Sequence, residues 1–454
     1  MKANFRPDGQ GCQSKVDICV REKRIWLAAG SAVLAKGGGL ALQVAAFPIV
    51  VRALGVERFA IFSLVSAILG FMAFAQFGIG GYLTQQISAR IAMRDKTGIG
   101  QITWTAVLTI ACLAFVVGSS LALVAHVRGL EWLWGSAYRD NAEVLSWGFH
   151  YVLIAAFLTL FFNTFAGCQA GYQELHIGNL YSGFGNLLAA IGLIVVGLYG
   201  GAGERQFWLV LYGVPLVVLI VNSCHLIRRH PELAYHGSLL RPNLVPTLLT
   251  SGAGFMVVQT LVPLCQREGA RLTLAHHGTL IEVGHLSVFL QLTIILSGLI
   301  IIFTQPLYGA IADAYARGDD LWTRLRLKQM RMYFAVLFVL ICVGAYGAGP
   351  SLLRLWLGEA MAVGRTECLF FALYFSVTMY VHVNYVFLLG QRQMRSSVIA
   401  ALVEVVILVA VFVCVSPKTT GVLLLWVGGV QLFTSLPITS LALRRMRLRS
   451  AKVM

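Results

Sequence analysis

Charge is what this sequence has least of. Only 12% of its 454 residues are Asp, Glu, Lys or Arg, against about 25% in an ordinary soluble chain. So few charges cannot dress the surface of a soluble protein this long, which excludes that class. Acids are the scarcer sign, 19 against 35 Lys and Arg. The nine cysteines (Cys12, Cys19, Cys112, Cys168, Cys224, Cys265, Cys342, Cys368 and Cys414) form no pair with metal-ligand spacing. They read as small hydrophobes rather than a disulfide or metal framework. No Walker loop is present: Gly37, Gly38 and Gly39 follow Lys36 inside an apolar run instead of preceding a lysine after a strand, so ATP is not expected as a direct fuel. His276, His277 and His285 have no accompanying acid cluster in a metal-binding spacing. No catalytic constellation, metal site or cofactor is therefore expected, and the chain does not read as an enzyme.

What is present is apolar length. Hydrophobic residues make up 58% of the chain and fall in runs of about 20, enough to cross a ~30 Å hydrocarbon layer as helices. The runs do not alternate polar and apolar, which excludes a transmembrane β-barrel. Twelve spans are predicted. Six lie near Ile25–Val51, Phe59–Tyr82, Ile102–Val124, Val144–Ala166, Ile177–Tyr199 and Phe207–Ile227. Six more lie near Leu248–Ala275, His285–Ala312, Met332–Ala348, Leu369–Leu389, Val398–Val415 and Val422–Leu443. The fold class expected is all-α membrane protein. Its organisation is a polar tail over 1–24, a six-helix bundle over 25–230, a linker over 231–247, a second bundle over 248–443 and a basic tail over 444–454. No small-residue cleavage site follows the first run, which reads as a retained span.

The formal net charge of +16 sits mainly in short segments between spans. Such clusters mark cytoplasmic loops rather than a nucleic-acid surface. They include Arg90, Arg94 and Lys96; Arg228, Arg229 and Arg241; Arg324, Arg326, Lys328 and Arg331; and Arg444, Arg445, Arg447 and Arg449. All fall on one side when both termini are cytoplasmic. A faint duplication supports the two-bundle division. At an offset of 227, Val56 to Phe62 faces Val283 to Phe289, and Ala89-Arg90 faces Ala316-Arg317. At an offset of 222, Phe165 and Gln169 face Phe387 and Gln391.

A charge inside the bilayer is expensive and usually faces a wet cavity or a partner. Lys36 lies about a dozen residues into the first span, next to three glycines that weaken the helix. It either lines a central lumen or lies nearer the interface if the span starts later. Arg267 and Arg271, four apart, share one helix face, and Glu268 can pair with Arg271 at i+3. They form either a basic stripe in the seventh span or part of a loop beyond its end. Glu404, central in Val398–Val415, is either a proton carrier or a buried hydrogen-bond acceptor. Gln76, Gln259, Gln291 and Gln305 also fall within spans, where interhelical hydrogen bonding explains most such residues. Pro48, Pro215, Pro263, Pro306 and Pro437 would kink their helices.

Several segments resemble one family. Arg52 followed by Leu54-Gly55-Val56-Glu57-Arg58-Phe59 is similar to the first-loop signature of bacterial polysaccharide flippases. Ala75-Gln76-Phe77-Gly78-Ile79-Gly80 resembles the end of that family's second span. Gln305 to Ala310 with Ala316-Arg317-Gly318-Asp319 resembles its eighth-span exit, and Leu355-Trp356-Leu357-Gly358 its segment after the ninth. The family belongs to the multidrug/oligosaccharidyl-lipid/polysaccharide exporter (MOP) superfamily, whose members place two six-helix bundles around a central cavity. The family keeps a polar residue deep in the seventh helix, which favours a membrane-embedded Arg267/Arg271 stripe.

The resemblance implies transport of an undecaprenyl-diphosphate-linked oligosaccharide across the bacterial inner membrane, for O-antigen or exopolysaccharide assembly. Implied partners are that lipid-linked sugar, membrane lipids, a coupling proton or sodium ion, and polysaccharide polymerase and chain-length proteins. The site expected is a cationic lumen of Lys36, Arg52, Arg267 and Arg271, with Gln76 and Gln305 as polar lining and Glu404 or Glu268 as the coupling acid. Rival readings are a multidrug exporter, which would want lumenal acids, a lipid II flippase of the same superfamily, and a membrane-bound polymerase, which would carry a larger external loop.

Overall fold

The computed structural model describes residues 37–199, 203–235, 240–316, 319–359, 363–391 and 393–450. Among them there is no strand. Long helices run Lys96–Arg128, Ala142–Gly171, Leu175–Leu198, Leu280–Ala316, Asp320–Leu357, Arg365–Gly390 and Met394–Cys414. These are spans 3, 4, 5, 8, 9, 10 and 11. Span 6 is Glu204–Arg229 and span 12 begins at Thr420. Spans 1 and 2 occupy Gly37–Gln76, broken at Gly55 (φ 75, ψ 172), a conformation that suits glycine. Span 7 runs over 245–277 as one succession of helical turns. The described residues thus form an all-α membrane protein of about twelve spans.

Several spans outrun their apolar cores. Span 9 starts at Asp320, twelve residues before the predicted Met332, with the Asp319 side chain accepting from the Trp322 N–H at 3.0 Å. That first stretch is rich in Arg and Lys, so hydropathy does not register it, although those residues favour helix. Span 2 was expected to continue to Tyr82; the chain breaks instead at Phe77 (φ 48) and Gly78 (φ 69) and restarts as a helix over Ile79–Ala92. Three of the prolines leave the same mark. Pro48, Pro215 and Pro263 each follow a wider π-helical stretch, at Ala41–Ala46, Leu209–Gly213 and Val257–Leu261. A proline ring crowds the preceding turn, and a widened turn relieves that clash without ending the helix.

Packing repeats between the halves. Spans 2 and 4, 3 and 4, 4 and 6, and 5 and 6 pack together in the first half; 8 and 10, 9 and 10, 10 and 12, and 11 and 12 do so in the second. The outer faces of many spans stay apolar and exposed, as at Phe115, Leu123, Val343 and Val413, which is the surface lipid wants. The halves meet at both ends. At the end away from the C-terminus, here called distal, Phe47 stacks on Trp356 with ring centroids 5.9 Å apart. A Cβ on Gly284 would lie 2.8 Å from Val56 Cγ1. At the proximal end, a Cβ on Gly252 would lie 1.9 Å from the Phe77 carbonyl oxygen, so only glycine allows that approach of spans 2 and 7.

Candidate functional site: a cationic cavity between the halves

Between the halves lies a cavity of about 620 Å³, bounded by spans 1, 2, 5, 6, 7 and 8. Its polar wall includes Gln43, Ser63, Ser66, Gln76, Tyr212, Thr260 and Gln291. The Tyr212 hydroxyl donates to Ser66 Oγ at 2.6 Å, tying span 6 to span 2. Arg267, Glu268 and Arg271 face it from span 7. A second π-helical stretch, Cys265–Gly269, carries the first two of them. One turn on, Arg271 Nη1 donates to Glu268 Oε2 at 2.6 Å. Arg267 Nε stands 4.0 Å from Glu268 Oε1, beyond hydrogen-bond reach. The Nε atoms of both arginines are buried without a protein partner. Two guanidiniums and one carboxylate leave the described wall with one net positive charge. Gly70 on span 2 makes room for this layer: a Cβ there would come within 2.5 Å of Glu268 Cγ.

The expected site residues therefore separate. Arg267, Arg271, Glu268 and Gln76 line the cavity. Arg52 does not, and its expected lumenal place is corrected: it is exposed, and its guanidinium donates to the carbonyls of Leu355 and Trp356, both at 3.1 Å. Carbonyls at a helix C-terminus lack intrahelical partners and attract a cation, which is what Arg52 supplies to the end of span 9. Lys36 lies outside the described residues, as do the side chains of Gln305 and Gln259.

Glu404 lies away from the cavity, fully buried. Its carboxylate accepts from Gln266 Nε2, from Ser435 Oγ and, at 3.3 Å, from Gln431 Nε2. Thr378 Oγ1 donates to Gln431 Oε1 at 2.7 Å. The acid thus joins spans 7, 10, 11 and 12, and its span 7 donor, Gln266, is next in sequence to the cavity's Arg267. Sequence reasoning did not find this network, nor Ser66 and Tyr212. It also read no acid beside His285, whereas the fold brings Glu282 and Glu367 to within 4.8 Å of it.

No family model matches the chain, and no curated protein matches it. Solved structures do. An inward-facing multidrug resistance MATE family transporter of the MOP superfamily is 15% identical, covers 93% of this chain and 98% of its own, and superposes with a TM-score of 0.68. The fold is that of the MATE transporters. An outward-facing member of that family aligns over 95% of this chain and 96% of its own, with 15% identity and a TM-score of 0.60. A MOP superfamily transporter from Pyrococcus furiosus, reported with a binding pocket of reverse polarity that suggests a different function, is 15% identical. It covers 94% of this chain and 96% of its own, at a TM-score of 0.61. That fold has been solved in both an inward-facing and an outward-facing state.

Proposed function

We propose that this protein is a flippase carrying an undecaprenyl-diphosphate-linked oligosaccharide across the bacterial inner membrane, with both termini cytoplasmic. The observation that carries the reading is the Arg267–Glu268–Arg271 layer. Arginine matches phosphate oxygens through its planar fork, and both arginines of this layer line the chamber, which suits a diphosphate. Cations in a hydrated chamber lower the barrier to moving that anion through a low-dielectric slab. The Pyrococcus furiosus transporter, whose binding pocket of reverse polarity is reported to suggest a different function, is a precedent for a change of pocket polarity on this fold. The polyprenyl tail stays in the bilayer. A proton or sodium ion supplies the driving force, with Glu404 as the coupling acid. Glu268, the one acid among the described residues that line the chamber, is the feature a multidrug exporter would use, but Arg271 already pairs with it at 2.6 Å.

The test is translocation of a defined lipid-linked oligosaccharide in proteoliposomes. Arg267→Ala and Arg271→Ala together should reduce the rate at least tenfold at equal reconstituted protein. An unchanged rate, or energy-dependent export of an organic cation in its place, would overturn the assignment.

A further inference from the structure

We propose that Glu282, His285 and Glu367 bind a first-row divalent cation, Zn²⁺ by preference, at the distal end of the second half. Glu282 and His285 lie three apart on span 8 and so share a helix face, while Glu367 opens span 10. One ligand atom from each lies within 4.8 Å of the others. A point among three such atoms is within ~2.8 Å of each, less than ~1 Å of side-chain shift from Zn–N and Zn–O bonds of about 2.0–2.2 Å.

Helix capping alone explains the two acids, since both occupy first turns, where a negative charge is favoured. It does not explain the histidine. His285 is 9% exposed, and its Nδ1 has no hydrogen-bond partner. That atom faces Glu367 Oε2 across 4.0 Å, too far for a hydrogen bond and wide enough to admit an ion. The carboxylates are already held by backbone donors. The Thr420 N–H donates to Glu282 Oε2 at 2.6 Å, and the Gly364 N–H donates to Glu367 Oε2 at 3.3 Å. Outer contacts of this kind fix ligand orientation in metal sites. Two carboxylates and a neutral imidazole balance a divalent charge and leave a fourth position for water. An ion there would clamp the distal ends of spans 8 and 10, with span 12 joined through Thr420. Gly284, between two of the ligands, is where span 8 meets Val56 of the first half.

The experiment is Zn²⁺ titration of the full chain in nanodiscs, read by bound metal after equilibrium dialysis and by the thermal midpoint. Wild type should bind one ion per chain and gain several degrees. His285→Ala and Glu367→Gln should each weaken binding at least tenfold and lose the shift. The exposed neighbours His276 and His277 serve as the control, and their double alanine variant should bind like wild type. Should His285→Ala not accumulate folded, Glu282→Gln takes its place beside Glu367→Gln. No stoichiometric binding, binding kept in both site variants, or binding lost only with His276 and His277 would each overturn the proposal.

Discussion

At the scale of single residues, burial separates three acids whose surroundings differ. Glu268 has an arginine partner and a chamber beside it, and Glu282 has a helix N-terminus. Glu404 has only neutral donors, all from neighbouring spans. Such donors stabilise a carboxylate, and losing the acceptor leaves them unsatisfied in a medium that offers no water. Glu404→Ala should therefore destabilise by about 2–4 kcal/mol, since more than one buried group is orphaned. Glu404→Gln keeps the shape and part of the bonding and should cost about 1 kcal/mol. Thermal denaturation in detergent measures both. If Glu404 carries the coupling ion, the Gln variant stays folded but loses gradient-driven transport; full transport by it would reduce Glu404 to a structural link. The sequence showed Glu404 as a central acid and left both roles open. It could not show its partners, because Gln266, Gln431 and Ser435 lie on other spans and carry no local signal.

At the scale of elements, hydropathy located most of the spans among the described residues well, because lipid admits few alternatives to an apolar helix. It was poor at their ends. The Arg- and Lys-rich start of span 9 is helical yet polar, so its reach to Asp320 was invisible. Span 7 was ambiguous for the opposite reason, since three charges interrupt a helix that does continue to His277. The break at Phe77–Gly78 passed unnoticed inside an apolar run, although two consecutive positive φ values there turn the chain. That turn brings Gly78 against Gly252, where a Cβ on Gly78 would lie 2.7 Å from the Gly252 carbonyl oxygen. Replacing Gly252 by Val would overpack a contact made between backbones. The expected cost is about 1–3 kcal/mol in unfolding free energy. Gly254→Val, which meets the flexible Met394 side chain instead, should cost less. Equal thermal midpoints for the two variants would contradict this packing.

At the scale of the whole molecule, the distal closure is built from several dissimilar contacts. Arg52 caps span 9, Phe47 stacks on Trp356, Val56 meets Gly284, and a Cβ on Gly135 would come within 2.8 Å of the Ala275 carbonyl oxygen. Arg52, expected in the lumen, thus belongs to the joint between the halves. The sequence placed it correctly in the first loop but could not show the helix end that it meets, 303 residues away. A transporter working by alternating access must part these contacts once per cycle. The Val56–Gly284 approach lends itself to a direct test, because paired cysteine side chains there fall near disulfide range. Val56→Cys with Gly284→Cys, in a background where native cysteines are replaced, should cross-link on mild oxidation. Transport should then fall at least tenfold and return on reduction, while either single variant stays active under both conditions. The lock must act by holding the halves together, since neither residue lines the chamber. Undiminished transport in fully cross-linked protein would mean that spans 2 and 8 move as one body. The substrate would then have to leave the chamber by a route that never opens the distal joint.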